Sequence, residues 1–302
     1  MKILICMKTV RFLHAQTGSD PKQLNIAPGD YVEMINPSDA AAIEAALRIK
    51  EQNPATEISI VSLGGASAET GLRRALAMGA DRVNHILYDD CAALDSWASA
   101  AILAAWAQHK DFQLILCGRE AIDSNAGLVG PYLAAQLAIP HVSQIINIAA
   151  PDSAGKITVE RRLDRGDRET VECSAPVLLT VEDGINLPRI PGLAAMLQAG
   201  KRRLNTLGLA DLTSAGASLG PAANRSEIIR LSRPKAKRRA VAQFNPVLSA
   251  AERAKLMMKG GGAPAPRPAK SDALLEGHSE EVLLELERLL QASGVGLKSR
   301  YS

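Results

Sequence analysis

"LILCGREAIDSNAGLVGPYLAAQLA" runs from Leu114 to Ala138. "LILC" is a short apolar run without alternation, the pattern of a strand buried on both faces. "YLAAQLA" reads as a helix. Between them lies "GREAIDSNAGLVGP" (118–131), a turn with acids, small polar residues and glycines. A strand that passes through such a turn into a helix is the repeating unit of an α/β protein.

The unit recurs towards the N-terminus. "KILIC" (2–6), "EISIVSL" (57–63) and "RVNHIL" (82–87) read as strands. The helices between them are "NPSDAAAIEAALRIKE" (36–51), "SAETGLRRALAM" (67–78) and "SWASAAILAAWAQH" (96–109). Asn36 suits the cap of the first helix, Pro37 its first turn, and Asp39 the positive end of its dipole. Gly79 closes the second. Strands alternating with helices predict a parallel sheet covered on both faces, with right-handed crossovers.

Towards the C-terminus the pattern changes. "KITVERRL" (156–163) and "ETVEC" (169–173) flank "DRGDR" and predict a hairpin. "PVLLTV" (176–181) is a further strand, and 186–204 reads as a proline-broken surface loop leading into a short helix. Beyond 206 the periodicity weakens. The run "RPKAKRR" (233–239) is basic, and a flexible linker spans 260–271. After Ser279 an amphipathic helix carries Val282, Leu286, Leu289 and Leu290 on one face, a face that needs a surface to cover.

Composition narrows the function. At 302 residues the chain can bury a large core without disulfide or metal staples. A net charge of +3 and nine aromatic residues argue against nucleic acid as a partner. Cys6, Cys91, Cys117 and Cys173 form no C-x-x-C pair, which speaks against a metal site and fits a reducing cytoplasm. Lys8 and Arg11 end the first apolar run too early for a secretory signal.

Ligands of open parallel sheets bind at the carboxyl ends of the strands. Three turns fall there: the long polar one after Cys6, "SLGGASAETG" (62–71), and 118–131. Glycines at a helix start serve turn chemistry, or else let backbone N–H groups approach an anion such as a phosphate. Asp123 and Asn125 could bind a base or sugar. No P-loop, G-x-G-x-x-G, H-E-x-x-H or G-x-S-x-G is present, so no catalytic residue is assigned, and a binding or carrier role is favoured over catalysis.

The motifs together resemble those of the β subunit of electron transfer flavoprotein. "INPSDAAAIEAALRIKE" (35–51), "RRALAMGADRV" (73–83), "GREAIDSNAGLVG" (118–130), "VERRLDRGDRETVECSAPVLLT" (159–180) and "NLPRIPGLAAMLQAGKR" (186–202) follow in the family's order. The resemblance covers about residues 1–205 well. It implies an α/β fold, a doubly wound and mostly parallel sheet (Rossmann-like, or adenine nucleotide α-hydrolase-like), with a β-hairpin and an extended C-terminal arm. The nucleotide-binding core would span 1–185, the partner-recognition loop and short helix 186–205, and the arm 206–302.

The resemblance also implies partners and cofactors. An α subunit would carry the redox-active FAD. Acyl-CoA-type dehydrogenases would donate electrons, and a membrane quinone oxidoreductase would accept them. This subunit would hold AMP or, in electron-bifurcating members, a second FAD. The implied nucleotide contacts are Cys6, Asn36, Pro37, Ser38, Asp39 and Leu63, together with Asp123, Ser124, Asn125, Ala126, Gly127, Leu128, Val129, Gly130, Pro131, Tyr132, Leu133 and Ala134. Leu193 matches the exposed leucine that the family offers to dehydrogenases, with Arg189 and Met196 beside it. Ser38, Arg165 and Leu187 depart from the family pattern. Asp39 and "AGLVGP" lean towards two-FAD members. The alternatives are a bifurcating, NADH-oxidising complex and a stand-alone adenine-nucleotide sensor.

Overall fold

Ile3, Leu4 and Ile5 of the first strand are fully buried, as an unbroken apolar run requires. The computed structural model describes residues 1–13, 31–152, 155–212, 219–229 and Arg288. The chain forms two compact units, 1–233 and 234–302, and every strand among the described residues lies in the first. The basic run 233–239, the linker 260–271 and the apolar face of the last helix lie outside the described residues. Arg288 of that helix is helical and exposed.

The strands are β1 (Lys2–Cys6), β2 (Thr9–Leu13), β3 (Tyr31–Ile35), β4 (Glu57–Gly64), β5 (Arg82–Leu87), β6 (Leu114–Gly118), β7 (His141–Ile148), β8 (Lys156–Arg162), β9 (Arg168–Ser174), β10 (Val177–Val181) and β11 (Asn205–Leu207). Nine of them form one sheet in the order β11-β5-β4-β1-β6-β10-β7-β8-β9. The seven from β11 to β7 pair in parallel, and β8 and β9 add antiparallel at the edge. The chain winds outwards from β1 through β4 and β5, then crosses to β6 on the other side. The switch in strand order therefore falls between β1 and β6, where ligands of doubly wound sheets bind.

Five helices, α1 (Pro37–Gln52), α2 (Ala68–Met78), α3 (Ser96–Ala107), α4 (Val129–Leu137) and α5 (Leu193–Lys201), lie among the described residues of this unit. Side chains alternate across each strand and divide the core in two. Ile3, Ile5, Ile58, Ile60, Leu114 and Leu116 pack with residues of α1 and α2. Leu4, Cys6, Val61, Ile115 and Cys117 pack with residues of α3 and α4. Each fully buried Leu or Ile contributes about 1.5–3 kcal/mol. α5 is fastened to α2 by Arg73, whose Nη1 donates to the carbonyls of Ala199 and Gly200, both at 2.8 Å, and of Arg202 at 3.1 Å. These carbonyls lie at and just beyond the C-terminal end of α5, where helix carbonyls run short of partners; Ala199 O also accepts the capping Arg202 N at 3.3 Å.

Three elements go beyond the sequence reading. The residues after Cys6 form an antiparallel ribbon, with Thr9 opposite Ile35 and Leu13 opposite Tyr31. β7 closes the parallel part of the sheet, and β11 extends the opposite edge. Although periodicity fades after 206, residues 224–226 are bound to the core. Asp95 caps α3 at Ala98 N (2.8 Å), and its other oxygen accepts the amides of Arg225 and Ser226 at 2.7 and 2.8 Å. No helix among the described residues is long and apolar enough to cross a membrane.

Candidate functional site

Three polar residues at the start of α1, Asn36, Ser38 and Asp39, are buried. Each buried polar group must find partners, and these find them at the ends of β1 and β6 and in the turn that follows β6. Asn36 Nδ2 donates to Glu120 O at 2.9 Å and to Ser38 Oγ at 3.0 Å. Its Oδ1 accepts Ile122 N at 3.1 Å, and Ser38 Oγ donates to Glu120 O at 2.9 Å. Asp39 bridges the two strands at the switch. Its carboxylate accepts Lys8 N just beyond β1 and Gly118 N at the end of β6, both at 2.8 Å. Burial pushes the Asp39 carboxyl up to about 6, against the pull of the hydrogen bonds from Lys8, Asn36 and Gly118. Lys8 Nζ adds an ion pair to Asp123 at 2.7 Å.

The turn so held leads into an open loop. Ala121 O accepts Ser124 N at 3.3 Å and Asn125 N at 2.8 Å. Asp123, Ser124, Asn125 and Ala126 are exposed. Asn125 and Gly127 take positive φ, 49° and 62°, which Asn tolerates and Gly adopts freely. α4 then starts with Leu128 at its cap and no side-chain cap bond. Pro131, which lacks an N–H, is tolerated in that first turn. The uncapped start offers backbone N–H groups and the positive end of a helix dipole at the switch point.

Gly130 is buried, and packing of α4 on the sheet requires a glycine there. A Cβ at this position would run into Thr180 Cγ2 on β10, so glycine lets α4 lie directly on the sheet. Leu133 and Ala134 are buried in the α3/α4 core and hold the helix there. Tyr132 meets Trp97 edge to face, with ring centroids 5.2 Å apart, and Arg225 lies 3.6 Å from the Trp97 ring centroid. Cys6 and Cys117 sit opposite each other in the β1–β6 register, buried at the floor of the switch point. The Cys117 thiol is pushed well up by its hydrogen bond to Cys6 and by burial.

The structure thus brings Cys6, Asn36, Pro37, Ser38, Asp39 and the 123–131 loop to one end of the sheet. Leu63, half-buried at the end of β4, completes that edge. The side chains of Asn36, Ser38 and Asp39 are spent on the protein itself. Sequence reading missed Lys8 and the buried Glu182. Glu182 is 3.3 Å from Arg119 Nε and 3.8 Å from Arg162 Nη2. Neither carries a local signal, because their partners lie far along the chain. Among the described residues no cluster of His, Cys, Asp or Glu could hold a metal ion.

A second region lies on the loop before α5. Leu187, Ile190 and Leu193 are 88%, 86% and 73% exposed, and Met196 and Leu197 are exposed with them. A contiguous exposed apolar patch marks an interaction surface. Arg189, between the first two, points the other way. Its Nε and Nη2 grip Glu44 of α1 at 2.7 and 3.0 Å, and its Nη1 reaches Glu51 at 2.8 Å. Burial pushes the Glu44 carboxyl up, but the bonds from Arg189 and Arg48 outweigh it and hold the group below its ordinary value.

Residues 24–212 match the family described as the electron transfer flavoprotein domain. The chain is 32% identical to the electron transfer flavoprotein subunit beta of Thermoanaerobacterium thermosaccharolyticum over 79% of its own length and 90% of that protein. It is 34% identical to the caffeyl-CoA reductase-Etf complex subunit CarD of Acetobacterium woodii over 78% of its length and 89% of that protein. It is 38% identical to the electron transfer flavoprotein subunit beta of Bacillus subtilis over 59% of its length and 68% of that protein. With its doubly wound sheet and its motifs in the same order, the chain belongs to the electron transfer flavoprotein family, among the β subunits.

Proposed function

We propose that this chain binds an adenine nucleotide at the β1–β6 switch point and docks acyl-CoA-type dehydrogenases through the patch around Leu193. Electrons pass through the FAD of an α subunit to a membrane quinone oxidoreductase, in the cytoplasm. Residues 1–185 form the nucleotide core, 186–205 the recognition segment, and 206–302 an arm that wraps the α subunit. The chain itself supplies binding and orientation and no catalytic group.

One observation carries the nucleotide reading: α4 starts without a side-chain cap, behind a loop with two residues at positive φ, at the switch point. Backbone N–H groups there suit a phosphate. Lys8, ion-paired with Asp123, lies at the same edge and ties the loop to the residues after β1. The residues fit the adenylate shared by AMP and FAD. Cys6, the 36–39 segment, Leu63 and residues 123–134, from the loop into α4, would hold it, and Asn36 and Ser38 also tether the turn before that loop. A second FAD, when bound, would supply two-electron chemistry with a nicotinamide donor.

The test is to co-purify the chain with its α subunit, denature the complex, and quantify released FAD and AMP. One FAD with one AMP marks a simple carrier. Two FAD without AMP mark the bifurcating alternative. One FAD and no further nucleotide would overturn the nucleotide reading.

A further inference from the structure

The loop before α5 alternates between anchors and exposed apolar residues. Asn186 Nδ2 donates to Ala41 O of α1 at 2.9 Å. Leu187 faces solvent. Arg189 returns to α1, and its backbone N also donates to Glu44 Oε2, at 3.1 Å. Ile190 faces solvent again, and Leu193 opens α5. Glu44 is itself buried beside Ile43 and Ala45. A carboxylate there is costly unless paired, so the pair with Arg189 is held tightly. The planar guanidinium makes two parallel bonds, which fix its direction as well as its distance.

We propose that Glu44 and Arg189 are positioning residues for dehydrogenase docking: α1 grips the loop through this pair and so holds Leu187, Ile190 and Leu193 outward in one arrangement. Free apolar side chains on a proline-containing loop would otherwise collapse onto the nearest apolar surface. Holding them out in advance removes part of the ordering cost of association. A partner seated over the loop would exclude water from the pair and strengthen it. The proposal rests on the docking reading above, so the experiment separates the two.

Arg189→Met, Arg189→Lys and Leu193→Ala are prepared in the full heterodimer. Arg189 is partly exposed and Glu44 keeps Arg48, 3.2 Å away, so the carboxylate retains a cationic partner in the Arg189 variants, and a thermal melt of each checks the fold. Two measurements are made on each. Hydrogen exchange over residues 187–197 reports positioning itself. Steady-state reduction by an acyl-CoA dehydrogenase that reduces the wild-type heterodimer reports its use. Arg189→Met should speed exchange about tenfold or more and raise KM for the dehydrogenase about tenfold, with kcat and bound nucleotide unchanged. Arg189→Lys keeps the charge but not the fork, and should fall between. Unchanged exchange in Arg189→Met overturns the proposal whatever KM does. Unchanged KM in Arg189→Met while Leu193→Ala raises it overturns it too. Unchanged KM in both variants, with exchange accelerated, overturns the docking reading itself.

Discussion

The carboxylate of Asp39 accepts the backbone N–H of Gly118 at 2.8 Å, and its second oxygen accepts that of Lys8 at the same distance. One buried side chain on α1 thereby ties together the ends of the two strands between which the strand order reverses. A Cβ at Gly118 would collide with this carboxylate, so the strand end is shaped to admit it.

The Asp39 carboxyl stands at about 6 in the folded chain against an ordinary 3.8. Between those values Asp39 is protonated in the folded state and ionised in the unfolded one, so its contribution to stability falls as pH rises. The contribution is fully present below 3.8 and lost as pH passes about 6. It amounts to about 3 kcal/mol. Urea unfolding at pH 4, 5, 6 and 7 should show this decline in the wild type and not in Asp39→Asn, which does not titrate. Parallel pH profiles for the two proteins would mean that Asp39 is not the titrating group.

Asn36 holds the turn at 120–122 through two hydrogen bonds, donating from Nδ2 to Glu120 O and accepting Ile122 N at Oδ1. Asn36→Ala orphans the Ile122 amide, at about 1–3 kcal/mol. Nucleotide content and thermal stability of the heterodimer should fall together, because the loop loses its tether. Loss of nucleotide at unchanged stability would show instead that Asn36 touches the nucleotide directly.

How legible these features were depended on the range of the interaction that made them. β1, β6 and β10 announce themselves, because burial on both faces demands unbroken apolar runs such as "KILIC" and "LILC". β7 does not. "HVSQIINI" joins the parallel part of the sheet to the antiparallel edge, is only partly buried, and bends at Gln144, with φ at 59°. β2 lacked a signal because its partner, β3, follows only at Tyr31. The turn at 118–131 was visible from its glycines. The division of labour within it was not visible. Asn36, Ser38 and Asp39 meet partners 79 to 86 residues away, and no local pattern encodes that.

Gly130 shows the same limit. From the sequence its absent side chain suits a ligand; in the fold it also makes room for Thr180, a contact no local pattern encodes. Gly130→Ala should destabilise the protein by about 1–3 kcal/mol through overpacking and lower nucleotide content as α4 shifts. Thr180→Ser removes the colliding methyl and keeps the hydroxyl, which lies 3.3 Å from His141 Nε2. The double variant Gly130→Ala, Thr180→Ser should recover both stability and nucleotide. A double variant that is stable yet empty would return Gly130 to a role in ligand approach.

Leu193 offers the opposite case, a large apolar side chain with little to lose in the free protein. It is 73% exposed at the start of α5. Leu193→Ala should therefore change stability by no more than about 0.5 kcal/mol. If it enters a pocket of the dehydrogenase, truncation removes a buried anchor and weakens docking by about 1–3 kcal/mol, roughly a 5- to 150-fold rise in KM. The expected signature is a large kinetic change with an unchanged melting curve and unchanged nucleotide. Glu51→Gln provides the contrast. It weakens an exposed ion pair to Arg189 while leaving the Glu44 bonds in place, and exposed pairs are worth little, so its KM should match the wild type. A Leu193→Ala protein that docks normally would remove the anchor from this loop and leave the exposed Leu187 and Ile190 as the residues to test next.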